Sequence, residues 1–194
     1  LDMRGHGKSP VMRNLWYSYE DTFEDLDIMI ARIRERHGID VPIFLLGYGF
    51  GGLVAASYTA TEKPKIDGLI FCGSTPRAKL NMLEERFKSS ISLMMPGHSV
   101  NFEDNVASKV PIRTIVEIDR LSRSVSRLAP DLCVPILYLK WGERDDVLDG
   151  FYTRSASGLK EHLTIDSQIR NNQRVETIEQ VNLWLNERLN KLSN

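Results

Sequence analysis

Three short runs bring together residues that could do chemistry. The first is Asp2-Met3-Arg4-Gly5-His6-Gly7-Lys8-Ser9, a carboxylate, a guanidinium and an imidazole spaced by glycines. The second is Leu45-Leu46-Gly47-Tyr48-Gly49-Phe50-Gly51-Gly52, a short apolar run that breaks into small residues. The third is Pro135-Ile136-Leu137-Tyr138-Leu139-Lys140-Trp141-Gly142-Glu143-Arg144-Asp145, an apolar run ending in acidic residues. Phosphate chemistry is one reading of the first run, because Gly7-Lys8-Ser9 matches the end of a phosphate-binding loop. That loop needs a glycine five positions before Gly7, where Asp2 stands, and Pro10 disturbs the helix that should follow. Gly47, Gly49 and Gly52 spell the G-x-G-x-x-G of dinucleotide sites. Such a site expects an acid at the end of the next strand, about 20 residues on. Cys72-Gly73-Ser74 stand there instead, and Asp67 precedes that strand. A metal centre has no basis: Cys72 and Cys133 lie far apart, and His6, His37, His98 and His162 are scattered.

The elements that must position these runs follow from periodicity. Glu20 to His37 reads as an amphipathic helix, with Phe23, Leu26, Ile30 and Ile33 on one face and Gly38 as its stop. Pro42 to Leu46 suits a strand buried on both faces, and Leu53 to Thr61 a second helix with Ala55 and Ala56 allowing close packing. Gly68–Cys72 and Ile136–Trp141 are further buried strands, and Leu163–Ile165 a weak fourth. Val175 to Leu192 is a final helix with the stripe Ile178, Val181, Leu185 and Leu189. Strands alternating with helices indicate an α/β fold with a mainly parallel sheet, and each reactive run falls at the C-terminal end of a predicted strand. Leu1 to Arg4 reads as the end of such a strand. With no initiator Met, the chain is expected to start inside a longer fold. Residues 76–130 break the rhythm: Leu80, Leu83, Phe87 and Ile91 share a helical face, Leu93, Met94 and Met95 follow, and Leu121, Val125 and Leu128 mark a later helix. This segment is expected to be a helical insertion, either ordinary core or a lid over an apolar pocket, since methionine adapts to varied apolar ligands.

The 194 residues carry 25 Lys and Arg against 26 Asp and Glu, a net charge of −1. No basic stripe marks a nucleic-acid or anionic-membrane partner. Val41 to Thr61 is uncharged and long enough to span a bilayer. Pro42 and the four glycines Gly47, Gly49, Gly51 and Gly52 divide it into strand, turn and helix. No signal peptide is evident, and a cytoplasmic location is the expectation.

Taken in order, the three runs resemble the α/β-hydrolase superfamily, and within it the monoacylglycerol lipase, lysophospholipase and serine aminopeptidase group. Asp2 to Ser9 is similar to that group's D-x-R-G-H-G-x-S loop. Residues 47–52 resemble the nucleophile elbow G-x-S-x-G-G, a sharp strand-to-helix turn flanked by small residues. The third run resembles the strand and G-x-x-D that supply the triad acid. The resemblance implies an α/β-hydrolase fold: residues 1–75 and 131–194 as a core lacking its N-terminal strands, and 76–130 as a helical cap. It implies hydrolysis of carboxylic esters of lipids through a serine acyl-enzyme, with no cofactor, and a small apolar or acyl ligand. By carry-over, Gly49 holds the nucleophile position, Asp145 the acid position, and the backbone N–H of Phe50 an oxyanion donor. Gly47, Tyr48, Gly51 and Gly52 complete the elbow.

The departures matter as much. Gly49 has no side chain to attack with. The family's histidine should follow the last strand, yet no histidine occurs from Asp166 to Asn194. His162 falls before or within that strand. Ser57, Cys72 and Ser74 are the nearest substitute nucleophiles, with no histidine placed to activate them. The chain is therefore expected to be a non-catalytic member. The alternative is an active serine-type ester hydrolase whose sequence is truncated or altered.

Overall fold

A computed structural model describes residues 2–9, 15–16, 18–72, 82–101, 109–141, 146–165 and 170–192. In chain order the elements are α1 (Tyr19–His37), β1 (Phe44–Tyr48), α2 (Phe50–Glu62), β2 (Gly68–Cys72), α3 (Met82–Met94), β3 (Ser99–Asn101) and β4 (Lys109–Pro111). Then follow α4 (Ile112–Leu128), a single 3-10 turn, β5 (Ile136–Trp141), α5 (Asp146–Arg154), β6 (Lys160–Ile165) and α6 (Arg170–Leu192). The chain divides into two compact units. One joins Leu1–Arg32 with Pro76–Arg123, and the other joins Ile33–Thr75 with Ser124–Asn194.

The second unit holds a four-stranded parallel sheet in the order β1-β2-β5-β6. β2 is buried at all five positions because it lies inside the sheet with both faces covered. On one face Ile70, Cys72, Leu137 and Leu139 pack against Val181 and Trp184 of α6, with Phe44 and Leu185 at the margin. On the other, the Phe71 ring stacks on Tyr138 at 4.6 Å and meets Phe151 of α5 edge-on at 5.7 Å. Gly68 is required by this packing: a Cβ there would come within 2.7 Å of Trp184, which itself meets Phe44 edge-on. Asp67 registers the sheet, its carboxylate accepting from the Ile43 N–H at 2.7 Å while its own N–H donates to the Ile43 carbonyl at 2.7 Å. α2 is buried from Gly52 to Ala60, the signature of a helix apolar all round, and ends where Lys63 turns left-handed at φ 47°.

The first unit begins with the loop Asp2–Ser9. The expectation that Leu1 to Arg4 closes a strand fails over the described residues 2–4, which form no strand. Gly5 and Gly7 take φ of 77° and 55°, and the Asp2 carboxylate accepts from the Lys8 N–H at 3.0 Å, folding the run into a closed turn. Arg4 then ties the turn to α1 through a bidentate pair with Asp25, both contacts 2.9 Å, and a further contact to Asp21 at 3.1 Å. Phe23, Leu26 and Ile30 bury the inner face of α1, and Gly38 stops the helix at φ 101°. Trp16 is buried, its indole N–H donating to Thr22 and its backbone N–H to Thr114. β3 and β4 form an antiparallel pair over Val100, Val110 and Ile115. The Glu117 carboxylate of α4 is fully buried and held by Arg120 at 3.0 and 3.1 Å and by Arg113 at 3.1 Å. α3 is the opposite case, with Ser92 its one buried residue and Met82, Leu83, Phe87, Leu93 and Met94 exposed.

Candidate functional site

All four strands of the sheet run the same way, so their C-terminal ends share one side. Gly49 follows β1, and the end of β5 lies two strand spacings, or about 10 Å, across the sheet from the end of β1.

At the end of β1 the chain turns from strand to helix in one residue. Gly49 takes φ 53°, ψ −120°, a conformation that side chains disfavour. Its N–H donates to the Cys72 carbonyl at 2.7 Å, locking the turn to β2. Its carbonyl accepts from Gly52 at 2.9 Å and Leu53 at 3.4 Å, which starts α2. Phe50 is the first residue of α2, where the amides of a helix point out of its N-terminus. A Cβ on Gly47 would lie 2.2 Å from the Gly51 carbonyl oxygen and 2.7 Å from Gly52 Cα, both backbone atoms that cannot yield. On Gly52 it would sit 3.4 Å from Gly47 O and Phe71 Cβ. Gly51 has open space, so its part in the crowding is its backbone. Tyr48 is 58% exposed. The result is a tight strand-to-helix turn, with hydrogen where a side chain at position 49 would emerge.

The other expected participants divide. Asp145 lies outside the described residues, as does Ser74. The flanks of the Asp145 segment are clasped: Asp149 of α5 accepts from Lys140 at 2.6 Å and from the Tyr138 hydroxyl at 3.0 Å, both on β5. The sequence carries no signal of this clasp, because α5 is too short to show a periodicity. His162 is the third residue of β6, opposite Tyr138, with its ring 5.2 Å from Tyr138 and 5.7 Å from Tyr152. It stands three residues before the strand's end, about 10 Å back from the side that Gly49 occupies. His6 shapes its own loop, its Nδ1 lying 3.2 Å from the Arg4 carbonyl. Ser57 is fully buried within α2. Burial pushes the Cys72 thiol up to about 11, so the thiol is protonated and inert at neutral pH. Among the described residues no cluster of His, Cys, Asp and Glu could hold a metal ion, and no helix is long and apolar enough to cross a membrane.

Beside the end of β1, on the α6 face of the sheet, lies an open apolar groove of about 530 Å³. Leu46, Tyr48, Cys72, Ile178 and Val181 line it with Thr177 and Asn182.

Comparison with known proteins agrees with this architecture. The family described as serine aminopeptidase, S33 matches residues 1–107, more than half of the chain. Phospholipase YtpA of Bacillus subtilis is 25% identical over 124 residues, 61% of this chain but 46% of that protein, so the chain spans about half of its length. Among solved structures, a soluble variant of the monoglyceride lipase of Saccharomyces cerevisiae, bound to a substrate analog, superposes with a TM-score of 0.71. It is 13% identical and the match covers 96% of this chain and 76% of that one. The monoacylglycerol lipase of Paleococcus ferrophilus superposes with a TM-score of 0.62 at 18% identity, covering 84% and 70%. A parallel sheet, a one-residue elbow and a family match across the first 107 residues coincide: the chain belongs to the serine aminopeptidase S33 family, with the α/β-hydrolase fold.

Proposed function

We propose that this chain is a non-catalytic α/β-hydrolase that binds a small apolar or acyl ligand at the C-terminal end of its sheet. One observation carries the reading: Gly49 stands at the elbow, in the elbow's own backbone conformation, with no atom that could attack an ester. The sequence adds that no histidine follows β6. Removing a serine hydrolase's nucleophile costs about 10⁶ in turnover, and losing the base as well adds little, because the triad acts as a unit. In this reading Asp145 is a relic of the triad acid. The Phe50 amide keeps its place as a donor to a ligand carbonyl, and residues 76–130 form a cap. A phospholipase and two monoacylglycerol lipases among the similar proteins favour a glycerolipid-like ligand.

A second reading is favoured by the same turn. Because the backbone at Gly49 keeps φ 53°, ψ −120°, a serine there would be presented as in an active elbow, as expected if the chain is an altered or partial ester hydrolase. One experiment separates the two. Hydrolysis of a short-chain aryl ester and of a monoacylglycerol is measured for the protein and for Gly49→Ser, beside saturable binding of a non-hydrolysable ether analogue. The proposal expects binding by both proteins and turnover by neither. Turnover by Gly49→Ser alone shows that a base is retained and supports the second reading. Saturable turnover by the unaltered protein, persisting through purification, overturns the first.

A further inference from the structure

α3 is seated on its unit by a polar face. Glu84, Lys88, Ile91 and Ser92 share one side of the helix and are its only residues that are not exposed. Three of those four are polar. Charge holds the seat. The Lys88 ammonium donates to Asp119 of α4 and to Glu85 at 2.7 Å, and the His98 ring lies 3.2 Å from Glu84. The Lys88 side chain is 19% exposed, so its pair with Asp119 is half shielded from water. Burial disfavours the ammonium, but the Asp119 and Glu85 carboxylates outweigh it and raise Lys88 above its ordinary value. At its C-terminal end α3 runs into the turn Met95–His98, closed by the His98 N–H donating to the Met95 carbonyl at 2.9 Å. The Ile112 N–H ties the His98 carbonyl to the start of α4 at 2.7 Å. The helix is thus anchored at one end and pinned near its middle.

We infer that α3 is a flap that swings as one piece about the Met95–His98 turn, with the Lys88–Asp119 ion pair as the latch that closes it on α4. A helix seated by apolar residues is held by burial, which sodium chloride does not screen. A helix seated by an ion pair is held by attraction, which salt weakens. Ile91 is the one apolar residue on the seated face, so opening uncovers little apolar surface and costs far less than unfolding the chain. The closing turn lies outside the helix, so its hydrogen bonds survive the swing, as those of a hinge must. Ionic strength then sets how much of the time α3 stands open. The inference is independent of the ligand reading, since every contact it uses lies among α3, its turn and α4.

The test is amide hydrogen exchange of the full chain at one pH, followed by mass spectrometry on peptides from α3 and, as internal reference, from β5. α3 is expected to exchange ahead of β5, and severalfold faster when sodium chloride rises from about 0.05 to about 0.5 M, with β5 unchanged. Lys88→Met keeps the length and helix propensity of the side chain and removes its charge, and should speed α3 about tenfold. Asp119→Asn should act in the same direction, and the two together should be no faster than Lys88→Met alone, because both remove one interaction. Lys88→Arg, which keeps the charge, should stay near the parent. An unchanged β5 rate shows that each variant is folded. Additive effects overturn the inference, as do α3 amides indifferent to salt or to Lys88→Met. So does an acceleration shared equally by β5, since the pair would then hold the whole fold and not a flap.

Discussion

The ends of β1 and β6 lie on the same side of one sheet and are built differently. At β1 the turn is held by backbone contacts: Gly47 pressed on Gly51, Gly49 bonded to Cys72, and α2 starting at once. At β6 the exposed residues Glu161 to Thr164 lead into a segment without a histidine. The difference follows from what holds each place. The elbow's geometry belongs to the core, because α2 is buried from Gly52 to Ala60 and could not seat itself on β1 and β2 by another route. Nothing in that packing depends on a side chain at position 49, whereas the described residues at the end of β6 are exposed and add little to the core.

The largest effect should come from disturbing the elbow's packing. Gly47→Ala puts a methyl 2.2 Å from a backbone oxygen, and β1 or α2 must shift. A loss of about 3 kcal/mol is expected, read as a lower urea midpoint at unchanged slope. A variant as stable as the parent would show that the elbow is held less tightly than the contact implies. Next comes the thiol beneath the elbow. Its folded value is about 11 against an ordinary 9.0, so the folded state holds the proton more firmly than the unfolded chain. That stabilisation is complete below about pH 9 and is lost as pH rises to about 11, a change of roughly 2–3 kcal/mol. Urea melts of the protein and of Cys72→Ala should diverge in slope across that window. Parallel curves would mean that the thiol is already hydrated.

Much of this architecture is legible in the sequence. β2 and β5 stand at the expected residues because a strand buried on both faces is a continuous apolar run. The expected helix from Glu20 is α1, because its apolar stripe repeats over about three turns. β3, β4 and α5 leave no signal in the sequence, since elements of three and nine residues are too short for periodicity to rise above composition. The loop at Asp2 departs from the expected strand end, because its closure depends on two glycine torsions and one carboxylate. The elbow glycines were recognised as a group, but their unequal roles were hidden: nothing in the string says that Gly47 meets a carbonyl and Gly51 meets nothing.

The opposite end of the comparison predicts a small effect. His162→Ala removes one ring from a cluster with Tyr138 and Tyr152, on an exposed strand. A loss of about 0.5–1 kcal/mol is expected by urea melting, with no change in hydrolysis by Gly49→Ser. If that hydrolysis exists and disappears with His162, the base lies on the strand itself and the contrast between the two ends collapses.

The smallest effect sharpens the elbow itself. Gly51 lies within the first turn of α2, with nothing within 4 Å of where a Cβ would stand and no positive φ. Alanine there has the torsions that it prefers and touches no neighbour. It also removes backbone freedom from the unfolded chain, so a gain of about 0.4–1 kcal/mol is expected. Gly47→Ala and Gly51→Ala are the same substitution four residues apart, in one run of glycines, with opposite signs. If both destabilise, Gly51 is held by a contact outside the described residues, and the elbow's crowding extends beyond its own backbone. Opposite signs would locate the constraint at the single approach of Gly47 to the Gly51 carbonyl, the contact that sets the turn from β1 into α2.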